Sequence, residues 1–537
     1  MGLTRIAILA VALISPAAVA PAAPPDGPVV IFLVDTLRPD RMSAYGAPRA
    51  TTPAADALAR EATVFDHAYA LSSWTRASVG TLFTSLLPAA SGALDRNGKL
   101  DPAVPTLPQL FHDRGWKTAA FVGNANITAQ TGFSRGFDVF DSVDATEPGF
   151  EGHPRARVIV DPAVRFVQGQ KSPRFLLYVH VLDPHLPFNL DATSSARFAA
   201  GAGRRPNEPE ALFLDYDRAV RQADDQFARL VAALRAKGFW ERATVLYTSD
   251  HGEEFYEHGG RGHGDSLHEE QVRVPLILKL PGGTARVERA HDLVSLADVA
   301  PTLAEIYGLP RHAAWIGASL LAPPPGRLLY FTEDLDGDRL YAARQGTKKV
   351  VARLYPRLEA RLYDLARDPG EKAGGEIACG TQPAFGTGEL MAALETWRAR
   401  DVSAFSRIDF EKTGAEAVRF VLTMALPSDL QPFLTLNEAC RYESSIRGSA
   451  FTLQGDIHAG ESFRLSIAAD ERGEIPPHRL TVFDHAGNVV TGARRDALLR
   501  SVRVERPVMP DTESEEDANK LRNLGYLGGA TQAKKKP

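Results

Sequence analysis

Unbroken apolar runs alternate with helix-period segments over residues 28–309. Val29–Val34 reads Val-Val-Ile-Phe-Leu-Val without a polar residue, the pattern of a strand covered on both faces. Runs at 118–122, 174–181, 244–247 and 275–280 repeat it. Between them the spacing predicts a helix over 52–61, with Pro53 in its first turn and Asp56 one turn ahead of Arg60. A longer helix is predicted over 213–237, where Leu214, Val220, Phe227, Leu230, Val231 and Leu234 recur at helical spacing and Gly238 stops the run. This alternation predicts an α/β fold with a mostly parallel central sheet and helices on both faces, spanning residues 27–375.

From about residue 327 the pattern changes. Shorter runs at 328–331, 340–343 and 350–354, separated by Asp336-Gly337 and Gly346, predict a small antiparallel subdomain. A helix is expected over 389–398, within a helical linker region at 376–418. Runs at 420–424, 451–454, 463–467 and 480–483 then predict an appended β-rich domain over 419–505, followed by a solvated tail at 506–537. At the other end, Arg5 precedes an apolar stretch over 6–20 and small residues and prolines over 20–25. That order describes a secretory signal peptide at 1–23, too short and too interrupted by Pro16 to span a bilayer. The expected location is therefore periplasmic or secreted, with no transmembrane segment after signal removal.

Composition narrows the function only by exclusion. The chain has 537 residues, 44% hydrophobic and 24% charged, with a net charge of −5, which offers no basic excess for nucleic acid. Its two cysteines, Cys379 and Cys440, fit a disulfide in an exported chain and fit two buried thiols nearly as well. Neither lies near the segments that carry chemistry. Oligomeric state has no signature here.

Those segments are the ends of the predicted strands, where ligands bind in open parallel sheets. They deliver Asp35, Asn124, Asp183-Pro184-His185, and Asp250-His251-Gly252-Glu253-Glu254. A carboxylate beside an imidazole offers a hard oxygen and a neutral nitrogen, a set that suits Zn²⁺ or Mn²⁺ rather than Ca²⁺. Thr75 opens a helix-like run after Leu71-Ser72-Ser73-Trp74, where backbone N–H groups can hold an anion. Taken locally, Ser73 or Thr75 also reads as a simple N-cap.

The colinear series Val34-Asp35-Thr36-Leu37-Arg38-Pro39-Asp40, Ser73-Trp74-Thr75-Arg76-Ala77-Ser78, Asp183-Pro184-His185-Leu186-Pro187, Ser249-Asp250-His251-Gly252 and Gly262-His263-Gly264 resembles the sulfatase-like branch of the alkaline phosphatase superfamily. The resemblance runs from about 28 to 370. It implies metal ligation by Asp35, Thr75, Asp250 and His251, with Thr75 as the nucleophile. It further implies that His185 and His263 hold the transferred group or protonate the leaving oxygen, and that Asn124 touches a non-bridging oxygen. One divalent ion is expected rather than two, since Asp183-Pro184-His185 lacks the spacing of the two-metal members.

The departures matter as much. Typical sulfatases convert a cysteine or serine within Cys/Ser-x-Pro-Ser-Arg to formylglycine, whereas this register reads Thr75-Arg76-Ala77-Ser78-Val79. A threonine Cβ carries a methyl group and cannot become that aldehyde. The paired aspartates that begin a typical sulfatase are here Asp35-Thr36. The expected activity is thus a metal-dependent hydrolase of phosphate or phosphonate esters, acting on a small-molecule, lipid or glycan ester. A sulfuric ester hydrolase and an envelope phosphoglycerol- or phosphoethanolamine-type transferase are the alternatives.

Overall fold

The computed structural model describes residues 24–142, 154–198, 209–283, 288–335, 340–353 and 359–376, together with strand segments between 406 and 504. The expected signal peptide, the helix at 389–398, both cysteines and the tail lie outside the described residues.

Among the described residues, a nine-stranded sheet organises the fold. Its strands are β1 (Val29–Val34), β2 (Thr63–Tyr69), β3 (Lys117–Val122), β4 (Val139–Ser142), β5 (Phe175–Val181), β6 (Thr244–Thr248), β7 (Arg273–Val274), β8 (Leu276–Lys279) and β9 (Glu288–Ser295). The order is β9-β2-β8-β6-β1-β5-β3-β4, with β7 paired to β2. β1 lies between β5 and β6, parallel to both, and all six of its residues are buried. Its unbroken apolar text follows from two covered faces. Val30, Phe32 and Val34 pack under the helix Pro209–Ala236, while Val29, Ile31 and Leu33 face a second cluster with Phe83 and Leu303.

The fold is the expected mostly parallel α/β architecture, with one local reversal. β8 runs antiparallel to both β6 and β2. Residues 249–275 leave the carboxyl end of β6 and return to the same edge, where Leu276 pairs Thr248, so the chain can re-enter only in the opposite direction. That excursion carries Asp250, His251 and His263.

Two helices at this edge are α1 (Pro53–Ala59) and α2 (Thr75–Thr84), the latter buried along its whole length. Past residue 327 comes an antiparallel sheet of β10 (Leu328–Glu333), β11 (Leu340–Gln345), β12 (Lys348–Arg353), β13 (Glu359–Asp364) and β14 (Gly375–Glu376). It packs on the main sheet through Leu329, Phe331, Tyr341 and Val350 against Tyr69, Leu71 and Leu267. Further along, the described strand segments form antiparallel sheets of four and five strands. One of these strands, Ser406–Lys412, falls inside the stretch read as a helical linker. Among the described residues, no helix is long and apolar enough to cross a membrane.

Candidate active site

β1, β3, β5 and β6 end at one place, and α2 begins there. The backbone N–H of Asp35 bonds Val181 O at 2.9 Å, so the chain leaves β1 still paired to β5. Thr36 then turns into the left-handed region at φ 55°, a conformation a β-branched residue adopts only under constraint. Tyr216 Oη holds its carbonyl at 2.6 Å, and its N–H reaches Asp250 Oδ1 at 3.2 Å. The position that typical members fill with a second aspartate serves here through its backbone.

Asp35, Thr75, Asp250 and His251 are fully buried together. His251 Nδ1 faces the Gly252 carbonyl at 3.0 Å and so carries the ring proton. Its bare Nε2 lies 3.1 Å from Thr75 Oγ1 and 3.4 Å from Asp250 Oδ2. Asn124 Nδ2 donates to Asp35 Oδ2 at 2.6 Å and approaches Thr75 Oγ1 at 3.4 Å. Asp35 Oδ1 and Asp250 Oδ2 are buried and accept no hydrogen bond of ordinary geometry. Two orphan carboxylate oxygens, a bare imidazole nitrogen and a hydroxyl therefore converge, and lone pairs so placed repel unless a cation lies between them. Burial, then the Asp35 charge, pushes the Asp250 carboxyl above its usual range. Burial would raise Asp35 too, but hydrogen bonding to His180 holds it well below that range. Burial also lowers His251, which favours the neutral form a metal ligand needs. The donor set fits a divalent cation.

Around this centre stand two further histidines. His263 and His251 rings are 4.2 Å apart between centroids, and His185 and His263 rings 5.0 Å. His263 Nδ1 donates to the buried Glu253 Oε1 at 2.9 Å. Burial would lower the His263 pKa, but the charge and hydrogen bond of Glu253 outweigh it and push it up to about 9. Glu253 thus favours the imidazolium form of His263. His185 Nδ1 bonds the Leu186 carbonyl, which points Nε2 away from that turn.

The residues singled out from the sequence thus meet in one site, with neighbours that sequence reasoning missed. His180 Nε2 lies 2.9 Å from Asp35 Oδ2 and must carry a proton there, while Nδ1 lies 3.0 Å from Tyr178 Oη. A nitrogen of His180 lies within 4.8 Å of carboxylate oxygens of Asp35 and Asp250, so His180 belongs to the candidate metal group as well as orienting Asp35. A histidine inside an otherwise apolar strand was the available signal. Glu253 stood next to the motif without an assigned role.

Asp183 is not available for a second metal. Its carboxylate takes Gln222 Nε2 and, at 2.7 Å, the N–H of Ala156, the first residue of the helix Ala156–Gly169. Glu254 is occupied by the backbone of His258 and Gly260, and His258 turns to Glu270 and stacks on His268. Neither reaches the metal-type cradle.

Residues 28–309, just over half of the 537-residue chain, match the protein-family model described as Sulfatase. The chain belongs to the sulfatase family. It is 24% identical over 410 residues to the uncharacterized sulfatase YidJ of Escherichia coli K12, covering 64% of this chain and 81% of that protein. It is 27% identical over 248 residues to phosphoethanolamine transferase EptC of the same bacterium, covering 43% of this chain and 40% of that one. For arylsulfatase K of Rattus norvegicus the identity is 29% over 181 residues, about a third of each chain (31% and 32%). Among solved structures it resembles BT4656 in complex with D-glucosamine-2-N,6-O-disulfate (TM-score 0.61, 20% identity, 70% of this chain and 98% of that one). It also resembles the phosphonate monoester hydrolase of Agrobacterium radiobacter (TM-score 0.57, 19% identity, 70% and 96%). At such identities these structures establish the sulfatase-like fold. The protein is accordingly a sulfatase-family hydrolase or transferase with a candidate metal site of acidic residues and histidine.

Proposed function

We propose that this family member is an exported, metal-dependent hydrolase of phosphate or phosphonate esters in which Thr75 is the nucleophile. The observation that carries the reading is a threonine hydroxyl 3.1 Å from the bare Nε2 of His251, at a position where formylglycine cannot form. Thr75 is the first residue of α2, whose N-cap Trp74 gives no side-chain cap, and the positive end of a helix favours an anion at such a start.

Asp35, Asp250, His251 and Thr75 would hold the ion, with Zn²⁺ or Mn²⁺ favoured by the mixed oxygen and nitrogen donors. When bound, such an ion lowers the pKa of a coordinated hydroxyl and balances charge on the transferred group. Thr75 Oγ, its proton released to solvent water, attacks phosphorus in line as the bond to the leaving oxygen breaks. His263 supplies that oxygen with a proton, and Asn124 and His185 hold the non-bridging oxygens. Water attack on the phosphothreonine then restores Thr75. An acceptor alcohol in place of water would make the same residues a transferase, the activity in EptC's name.

The test is a panel of 4-nitrophenyl phosphate, bis(4-nitrophenyl) phosphate, 4-nitrophenyl phenylphosphonate and 4-nitrophenyl sulfate, with metals restored to stripped enzyme. The phosphorus esters are expected to turn over fastest. Thr75→Ala is expected to lower kcat by about 10³-fold or more while metal still binds. Preferential sulfate hydrolysis removes the substrate reading, and normal turnover by Thr75→Ala removes the nucleophile.

A further inference from the structure

The segment Leu71–Trp74 that leads into α2 is held from the other sheet. Thr332 N bonds Leu71 O at 2.9 Å, so β10 ends beside this segment. The next residue, Glu333, is 1% exposed. Its Oε2 accepts from Ser72 Oγ at 2.6 Å, Ser73 N at 3.0 Å and Ser73 Oγ at 3.2 Å. Its Oε1 accepts from the N–H groups of Asp334 and Leu335, both at 3.0 Å. Leu335 in turn lies over Gly264, where a Cβ would come within 2.5 Å of its Cδ2. One carboxylate therefore joins the two residues before the α2 N-cap to the loop that covers the turn after His263.

We infer that Glu333 is a positioning residue: by accepting from Ser72 and Ser73 it fixes the start of α2 and hence the line along which the Thr75 hydroxyl faces the reacting group. Ser72 relays the constraint, since its Oγ also accepts from Trp74 N at 3.3 Å and its carbonyl accepts from Ser78 Oγ at 2.8 Å. Burial pushes the Glu333 carboxyl up to about 7 even with its hydrogen-bond donors from Ser72, Ser73, Asp334 and Leu335 in place. The fold keeps a group that is costly to bury, and a glutamine there would turn an NH₂ toward N–H or O–H donors. The assignment rests on Thr75 being the nucleophile.

Glu333→Gln is made in the full-length, metal-loaded chain and assayed with bis(4-nitrophenyl) phosphate. The expected result is a fall in kcat of about 10- to 100-fold, with KM changed less than about twofold. Metal content stays at the wild-type value, and amide hydrogen exchange accelerates only in the peptide 71–84 and at Asp334 and Leu335, whose N–H groups the same carboxylate holds. An unchanged kcat overturns the proposal, whatever the exchange shows. So does a fall in kcat accompanied by faster exchange throughout the chain, which marks loss of folding. If Glu333→Gln gives no folded protein, Ser72→Ala and Ser73→Ala carry the test: each is expected to lower kcat at constant KM, and unchanged kcat in both overturns it. The two readings fail separably. Turnover by Thr75→Ala removes the nucleophile, while unchanged exchange over 71–84 in Glu333→Gln removes the hold of Glu333 on that segment.

Discussion

At the scale of single residues, two carboxylate–imidazole pairs order the site. Asp35 fixes a proton on Nε2 of His180, and Glu253 supports the charge of His263. The His263 charge is present below a pKa of about 9 and is lost as pH rises through it. A leaving-group proton from His263 therefore predicts activity that falls above about pH 9. In Glu253→Gln the charge that supports the imidazolium is gone and burial dominates, so the alkaline limb moves toward neutrality. At pH 8 the expected loss in kcat/KM is about 10- to 100-fold, part of the ~10²–10⁴-fold that a positioned general acid contributes in full. Profiles of kcat/KM against pH for both enzymes check this, and an unmoved alkaline limb removes His263 as the donor. Asp250, His251 and Thr75 were legible because a polar pair ends an apolar run and a hydroxyl opens a helix. His180 was not. Both faces of β5 are buried, so alternation gives no contrast to show which side chain turns toward the site.

At the scale of elements, helix starts divide by what satisfies them. The free N–H groups of Ala54 and Ala55 in α1 reach the Asp224 carboxylate at 2.7 and 2.9 Å, a partner in the helix Pro209–Ala236. Ala156 uses Asp183 in the same way. These are remote N-caps, invisible to a reading that seeks caps within a few residues of the helix, and so the capping role of Asp183 was not legible beside His185. Asp183→Ala should therefore act on stability, not on metal. Loss of a cap costs about 1–2 kcal/mol, readable as a lower urea midpoint, while metal stoichiometry stays at the wild-type value. A drop in bound metal would overturn this and make Asp183 a ligand. Strand existence was legible from apolar runs, yet the reversed direction of β8 was not, because direction depends on where the loop 249–275 returns. β2 escaped prediction for a related reason: Thr63, Asp66 and His67 interrupt its apolar text.

At the scale of the whole molecule, the joint between the main sheet and the small one is ionic as well as apolar. Lys349 of β12 is completely buried, with Nζ 3.0 Å from Glu269 Oε1 and 3.0 Å from Glu371 Oε1. Glu269 also takes Tyr69 Oη at 2.7 Å and Arg344 Nη1 at 3.2 Å, so β2, the loop after His263 and the small sheet share one carboxylate. No sequence pattern announces such a joint, since Lys349 and Glu269 stand 80 residues apart. Burial alone would lower the Lys349 pKa, but the two glutamates outweigh it and raise it, so the cation persists. Lys349→Met keeps much of the side-chain volume and leaves Glu371 without the cation that compensates it. Breaking one partner from a buried ionic cluster costs about 3–5 kcal/mol, and that loss is expected in urea unfolding near neutral pH. Acid should then rescue the variant more than the wild type: Glu371 is already pushed up by burial, and with the lysine gone it takes a proton at still higher pH. The folded variant thus binds more protons than its unfolded chain and gains stability as pH falls toward the ordinary glutamate range. A destabilisation below about 1 kcal/mol, the value typical of an exposed pair, or one that does not shrink with acid, would show that the apolar contacts of Leu329, Phe331 and Val350 alone hold the two sheets together.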